Sequence, residues 1–394
     1  MVGLPETERC CGCGACAAKC PKGAIKMLPS GTLGASEPSV DLQKCLNCGL
    51  CTKTCPVVNK NTDEKGFVQL TYAAYSKSDS VRFASSSGGM FLTFARKCID
   101  NGYKVYGAAF DKDNKLKCVR SDSYDELLPL TKSKYLQSDM TGKYGEVEAL
   151  LKMGENVLFV STPCHVAALK SYLGKEYENL LTVDFFCHGV PSQKLFDECL
   201  EYEDNKHSRK TLEYMFRAKV KKGVTPHYYK IKYEKNGKVI EKTEFYYKSL
   251  FYALFQQYIT MRDSCYDCIF ATDNRMSDIT VGDFHDIDKY VSGINRFDGV
   301  STVIINSKKG NELWQSVMAE LEVIQMDTDM LKRDGTIFYG GTRKPIGREE
   351  FVRDYNEHGL ECISKKYFGT GKYWKQEVYY RMPKIIRNIL KKLM

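Results

Sequence analysis

The chain has 394 residues, 43% of them hydrophobic, 27% charged and 12% aromatic, a balance that supplies a packed interior and excludes an intrinsically disordered chain. One hydrophobic core serves roughly 250 to 300 residues, so a small module and a larger body are expected. Formal net charge is +9, no run approaches the ~20 apolar residues that cross a bilayer, and the first ten residues lack an apolar signal core, so a cytoplasmic location is expected.

In that reducing compartment seventeen cysteines point to metal or redox chemistry rather than disulfides. Nine of them fall between Cys10 and Cys55. Cys10, Cys13, Cys16 and Cys20, followed by Pro21, have the spacing C-x2-C-x2-C-x3-C-P, and Cys45, Cys48, Cys51 and Cys55, followed by Pro56, repeat it 35 positions later. Three cysteines of such a run wrap one cubane, while the fourth completes the other cluster. One [4Fe–4S] cluster is thereby assigned Cys10, Cys13, Cys16 and Cys55, and the second Cys45, Cys48, Cys51 and Cys20. Gly12, Gly14 and Gly49 let the backbone bend around sulfide and aim N–H groups at sulfur. Cys11 has no place in the repeat. Paired zinc knuckles are the competing reading, but zinc needs neither the third cysteine nor the Cys-Pro ending. Over residues 5–58 the segment resembles two-cluster bacterial ferredoxins, which implies a small α+β module spanning 1–66.

The polar run Asn59 to Gly66 reads as a linker. The body then opens with a strand over Thr71 to Tyr75, the turn Ser85-Ser86-Ser87-Gly88-Gly89, and a helix carrying Met90, Phe91, Phe94, Ala95, Cys98 and Ile99 at helical spacing. Asn101-Gly102 stops that helix, and Tyr103 to Phe110 returns as a strand. A Ser- and Gly-rich turn before a helix presents N–H groups and hydroxyls to an anion such as a dinucleotide pyrophosphate. An ordinary helix cap is the competing reading. No G-x-G-x-x-G fingerprint occurs, so a Rossmann nicotinamide site has no support.

Asn156 to Ser161 and Leu180 to Phe186 are apolar runs flanking a helix from about His165 to Tyr172, the pattern of strand, helix and strand in a parallel sheet. The expected body is therefore α/β with a mixed or parallel sheet. Cys164 and Cys187 follow these strands, at the carboxyl edge where such sheets bind ligands. A helix N-terminus is expected to lower the Cys164 thiol toward thiolate. Cys265 and Cys268 add a C-x2-C pair, making four ligands for a third cubane. Taken singly, Cys164 and Cys187 also read as small buried hydrophobes, and Cys265 with Cys268 as half a zinc site.

The ordered set Ser86-Ser87-Gly88-Gly89, Ser133-Lys134-Tyr135-Leu136-Gln137-Ser138, Thr162-Pro163-Cys164, Cys187-His188-Gly189-Val190-Pro191, Cys265-x2-Cys268 and Asp278-Ile279-Thr280-Val281-Gly282-Asp283-Phe284 resembles the beta subunit of coenzyme F420-reducing hydrogenase over roughly residues 68–350. The resemblance implies an FAD and iron–sulfur flavoprotein in two parts, 68–155 with the flavin-phosphate loop and 156–350 with the inner cluster, before a helical tail over 351–394. It implies FAD contacts from Ser86, Ser87, Gly88, Gly89, Lys134, Tyr135, Gln137 and Ser138, inner-cluster ligation by Cys164, Cys187, Cys265 and Cys268, and F420 as a substrate. Two departures bear on substrate. His285-Asp286 stands where the family commonly has Trp-Gly, and His165 where Gln often follows Thr-Pro-Cys. His165, His188 and His285 are candidate proton donors, because histidine titrates near neutral pH; hydrogen-bonded structural histidines are the competing reading.

Between Lys206 and Lys248 thirteen Lys or Arg stand against four Glu, around a hairpin whose turn is Asn236-Gly237. That patch suits an acidic ferredoxin or a phosphate-bearing substrate, or is simply a solvated face. Nucleic acid is not an expected partner. From Pro383 an amphipathic helix sets Lys384, Arg387, Lys391 and Lys392 opposite Ile385, Ile386, Ile389, Leu390 and Leu393; packing on the body or a partner is the commoner outcome than lying on an anionic membrane. The expected function is an iron–sulfur flavoprotein oxidoreductase exchanging electrons between a ferredoxin-type or F420-type donor and a small organic substrate. Its rival is a non-catalytic electron-transfer subunit of a larger complex.

Overall fold

The computed structural model describes residues 3–59, 67–221, 227–294, 296–329, 331 and 340–368, together with 378, 382 and 386. Apart from Asn59, the sequence-predicted linker Asn59 to Gly66 and, apart from Ile386, the terminal helix from Pro383 lie outside the described residues.

The amino-terminal module is two matching halves. Gly14 and Gly49 take the left-handed backbone at φ 77° and 73° and release the short helices α1 (Ala15–Lys19) and α2 (Leu50–Lys53). Between them β1 (Ile25–Leu28) and β2 (Glu37–Val40) pair antiparallel. This is the small α+β module anticipated from the cysteine repeat.

The body is built on β3 (Leu70–Ser76), β4 (Lys104–Phe110), β5 (Leu116–Ser121), β6 (Val157–Val160) and β7 (Leu180–Phe185), with later strands described below. Helix α3 (Asp79–Ala84) and α4 (Met90–Asp100) follow β3, α5 (Lys143–Lys152) precedes β6, α6 (Pro163–Leu173) joins β6 to β7, and α7 (Gln193–His207) follows β7. Next come β8 (Lys210–Ala218), β9 (Tyr228–Lys235) and β10 (Lys238–Phe245), an antiparallel sheet of their own, then α8 (Leu250–Gln256). Strands β11 (Ile279–Asp283) and β12 (Ser301–Ile305), helix α9 (Lys308–Val317) and β13 (Leu321–Met326) complete the large sheet, and a helix over Arg348–Tyr367, broken at Gly359, follows.

Strand order in the large sheet is β13-β3-β12-β11-β7-β6-β4-β5. The central strands β4, β6, β7 and β11 run parallel, and the flanks are antiparallel. The sheet is thus mixed, and segments 68–155 and 156–350 both contribute strands to it. Both faces are covered, because side chains of one strand alternate between them: Leu158 joins Phe94 and Trp314 under α4 and α9, while Val157 and Phe159 join Tyr144, Val147 and Ala168 under α5 and α6. Cys13, Ala15, Cys55 and Val57 of the amino-terminal module belong to this second cluster. Lys19 Nζ donates to Tyr172 O at 2.8 Å and Thr54 Oγ1 to Ser171 O at 3.3 Å, so the module is seated on α6 rather than tethered beside it.

The hairpin turns at Asn236 and Gly237, φ 51° and 70°, as the Asn-Gly pair predicts. Its Tyr229, Ile231 and Tyr233 enter an aromatic core with Phe216 and Phe251, while Lys230, Lys232 and Lys248 pair with Glu241, Glu213 and Glu244. Within that core Glu203 is 6% exposed and accepts the Leu250 N–H at 2.8 Å. Burial pushes its carboxyl from 4.5 up to about 7, beyond what that N–H and Arg209 pull back. The native state therefore keeps a proton that the unfolded chain releases, so this stability is complete below about pH 4.5 and fades as pH rises to about 7, by roughly 3 kcal/mol. Glu203→Gln should flatten that decline in urea melts taken across the same pH range.

Candidate functional site

Cys20, Cys45, Cys48 and Cys51 line one cavity of about 40 Å³, with Leu46 and Leu50 at its rim. Cys48 is exposed, so this site faces solvent. Cys10, Cys16 and Cys55 form a second, buried group whose thiols are electrostatic neighbours, and Cys13 packs in the same apolar cluster as Cys55. The fourth cysteine of each run thus sits with the opposite run. Backbone N–H groups already point at sulfur: Gly12 at Cys10 Sγ (3.4 Å), Ala24 at Cys20 Sγ (3.3 Å) and Asn47 at Cys45 Sγ (3.4 Å). Among the described residues no three Cys, His or carboxylate side chains converge to hold a single ion. A cubane asks for a wider spacing, since its thiolates attach to different irons.

The loop of residues 10–13 is gripped by the body. Arg262 Nη1 donates to Cys10 O at 2.8 Å, Gln137 Nε2 to Cys11 O and Gly12 O at 2.8 and 3.0 Å, and Tyr144 OH to Cys13 O at 2.8 Å. Gly12, at φ 63°, leaves room for that arginine: a Cβ there would stand 2.4 Å from Nη2. Cys11, the residue outside the repeat, is buried with its thiol against both Cys13 and Cys164.

Cys164 lies in the first turn of α6, Cys187 just past β7, and Cys265 and Cys268 in the turn after α8. The structure draws the four within electrostatic reach of one another. Gly189, at φ 106°, makes this possible, since a Cβ would meet Cys265 Cβ at 2.9 Å. The expected lowering of the Cys164 thiol is corrected: contact with Cys11 and burial hold it well above the ordinary range, outweighing the helix N-terminus. Burial likewise pushes Cys187 up to about 12.

Beyond Cys187 opens a cavity of about 920 Å³. Ser86, Ser87, Gly89, Lys134, Tyr135 and Ser138 line it, as do His188 and His285. Gly88, Gln137 and His165 do not. Gly88 sits where a Cβ would strike Ala74 O at 2.5 Å, Gln137 turns to the cysteine loop, and His165 is buried with Nδ1 3.1 Å from Ser161 Oγ and no partner for Nε2 among the described residues. The turn itself is locked: Ser86 Oγ accepts Ser133 N–H at 2.8 Å, and Ser87 Oγ donates to Val300 O at 2.8 Å.

Four cations surround this turn. Arg217 donates to Asp283 Oδ2 at 2.6 Å and to Ser86 O at 3.1 Å, while its Nε is buried without a partner among the described residues. Lys219 donates to Ser87 O at 3.0 Å, Lys134 to Pro129 O at 2.8 Å and Lys132 to Phe83 O at 3.2 Å. Burial, with mutual repulsion second, lowers Lys132 to about 8 and Lys134 and Lys219 to about 7. Half-buried lysines bonded to carbonyls instead of carboxylates, beside an arginine with a single carboxylate partner, form a receptor for an anion. Lys132, Arg217 and Tyr258 also hold positive φ (66°, 54° and 58°) where they line the cavity, conformations that side-chain-bearing residues adopt at a cost and that gather at functional sites. Lys132, Arg217 and Lys219 were not assigned from sequence. For Arg217 and Lys219 the only signal was the basic excess of the hairpin segment, in which Lys230, Lys232 and Lys248 are paired on the surface; Lys132 carried none. Burial lowers His188 to about 4 and His165 to about 4, so neither is a cationic proton donor near neutral pH; the His285 side chain is 65% exposed at the cavity rim.

Fold and site together define an iron–sulfur electron-transfer protein. Residues 9–59 match the 4Fe-4S dicluster domain, and residues 154–329 match the family described as the C terminus of the coenzyme F420 hydrogenase/dehydrogenase beta subunit. The chain thus carries a region similar to that beta-subunit family behind a dicluster domain. No curated protein matches it. Among solved structures it resembles a chain of the F420-reducing [NiFe] hydrogenase complex from Methanosarcina barkeri, at 19% identity and a TM-score of 0.44, over 77% of this chain and 94% of that one. Among the described residues no helix is long and apolar enough to cross a membrane.

Proposed function

We propose that the chain is an iron–sulfur flavoprotein oxidoreductase. In this reading Cys10, Cys13, Cys16 and Cys55 hold one [4Fe–4S] cluster, Cys45, Cys48, Cys51 and Cys20 the second, Cys164, Cys187, Cys265 and Cys268 a third, and the large cavity takes FAD. Clusters exchange single electrons and a flavin exchanges two, so the combination joins a one-electron donor to two-electron chemistry on an organic substrate.

The observation that carries the reading is the position of Cys187, which belongs to the inner cysteine set and lines the cation-rimmed cavity. One wall therefore serves a metal site on one side and an anionic cofactor on the other. Arg217, Lys132 and Lys134 neutralise a diphosphate there, Lys219 braces the turn from behind, and Ser86 and Ser133 keep the turn from which Gly89 starts α4. Tyr135, stacked on Phe255 at 4.1 Å, gives the cavity a flat aromatic flank. Exposed Cys48 faces an external donor, and the buried Cys10 group lies between it and the inner set. The family description names coenzyme F420, so F420 is the first substrate to assay; His285 and Arg343 stand at the cavity for a substrate of acidic character.

The test is elemental and optical analysis of anaerobically purified protein. The reading expects about twelve irons, about twelve acid-labile sulfides and about one FAD per chain. Zinc, or iron with no flavin after gentle purification, would refute it.

A further inference from the structure

We propose that Arg262 is the electrostatic bridge between the cluster held by Cys10 and the inner cluster held by Cys164, a positioning residue that raises the reduction potential of both and keeps electron transfer between them near balance. The inference rests on the cluster assignments just proposed. Arg262 is 3% exposed. Its guanidinium donates to Cys10 O, to Ser36 O and, from Nε, to Gln137 Oε1 at 3.3 Å, all neutral acceptors. No carboxylate pairs with it among the described residues. A permanently charged group so placed is costly unless anions stand near. Its guanidinium stands at the Cys10 loop while its own carbonyl accepts the Cys265 N–H at 2.9 Å, one contact in each set, and Cys11, whose thiol lies against Cys164, fills the gap between the sets. Its backbone is fixed as well, with Arg262 N donating to Val190 O at 3.0 Å.

Each cubane with four thiolates carries about two negative charges when oxidised and about three when reduced. Two such anions side by side oppose one another's reduction, and a cation between them offsets that opposition. The step it serves moves one electron and no bond: the Cys10-side cluster loses what the inner cluster gains, with a one-electron carrier protein or dithionite as the source. Gln137 grips the same loop without charge, which supplies the control.

The experiment is an anaerobic redox titration followed by electron paramagnetic resonance on the full chain, its Arg262→Gln, Arg262→Lys and Gln137→Leu variants, with iron counted in each. Arg262→Gln should cut the reduced-to-oxidised ratio of two clusters about tenfold at a fixed potential, about 59 mV for one electron, while Arg262→Lys and Gln137→Leu stay near the unsubstituted values. Iron loss in Arg262→Gln alone would equally support the bridge, since only the charge is then missing. Unmoved potentials in Arg262→Gln, equal shifts in all three variants, or iron loss shared by Arg262→Lys would overturn it. About eight irons in the unsubstituted chain would sink the inner cluster and this inference with it; about twelve irons with unmoved potentials would sink the Arg262 role alone.

Discussion

Replacing Cys268 with alanine is expected to lower iron from about twelve to about eight per chain and to abolish reduction of the bound flavin by an external one-electron donor. Cys268 lies outside the amino-terminal repeat and, like Cys164, is partly buried against the apolar core that contains Cys11, so its loss leaves the two outer sites with all eight of their sulfurs. The resonance of those sites should persist while the path onward is cut. Direct reduction of the flavin by a small-molecule hydride donor should survive, because the cations and the serine turn that would hold the flavin are untouched. Iron unchanged at about twelve would remove Cys268 from the ligands of the inner cluster.

Arg217→Met is the second large effect. Arg217 and Asp283 are 9% and 22% exposed at their side chains and meet at 2.6 Å. Desolvation alone would raise the Asp283 carboxyl, but Arg217 and then His285 overcome it and hold the group well below the ordinary range. The pair's stabilisation is therefore present above the unfolded value near 3.8 and is lost as pH falls below it. Removing the guanidinium leaves a buried carboxylate without its cation, a change worth roughly 3–5 kcal/mol, and removes one of the four charges around the Ser86 turn. Expected together are a lower urea midpoint at pH 7 and flavin lost on gel filtration. Arg217→Lys should recover part of the stability and less of the flavin, since a single ammonium cannot reach both Asp283 and Ser86 O. Full flavin retention in Arg217→Met would remove this residue from the cofactor's site.

What could be read from the chain beforehand was whatever has a local cause. The C-x2-C-x2-C-x3-C-P repeat gives a loop and a helix start because four cysteines at those intervals must turn around something, and Asn236-Gly237 gives a hairpin because both residues accept positive φ. The strand, helix and strand around Cys164 were legible from apolar runs, with ends shifted by a residue or two: the strands stop at Val160 and Phe185, and the helix begins at Pro163. What escaped was contact between distant segments. Arg262 and Gln137 stand more than 100 positions from the cysteine loop they hold. Arg217 sits in a strand of a separate sheet, yet a β-bulge between Met215 and Ala218 turns it to the Ser86 loop. Resemblance placed Gly88 and Gln137 against the cofactor; the structure spends both on packing and on bracing the module. The antiparallel flanks of the sheet also left no local mark, since buried strands read alike in either direction.

The most direct test of the central claim is a coulometric reductive titration of the anaerobic protein. Three clusters taking one electron each and a flavin taking two predict about five electrons per chain. An endpoint at about two, the capacity of the amino-terminal pair by itself, would contradict the account.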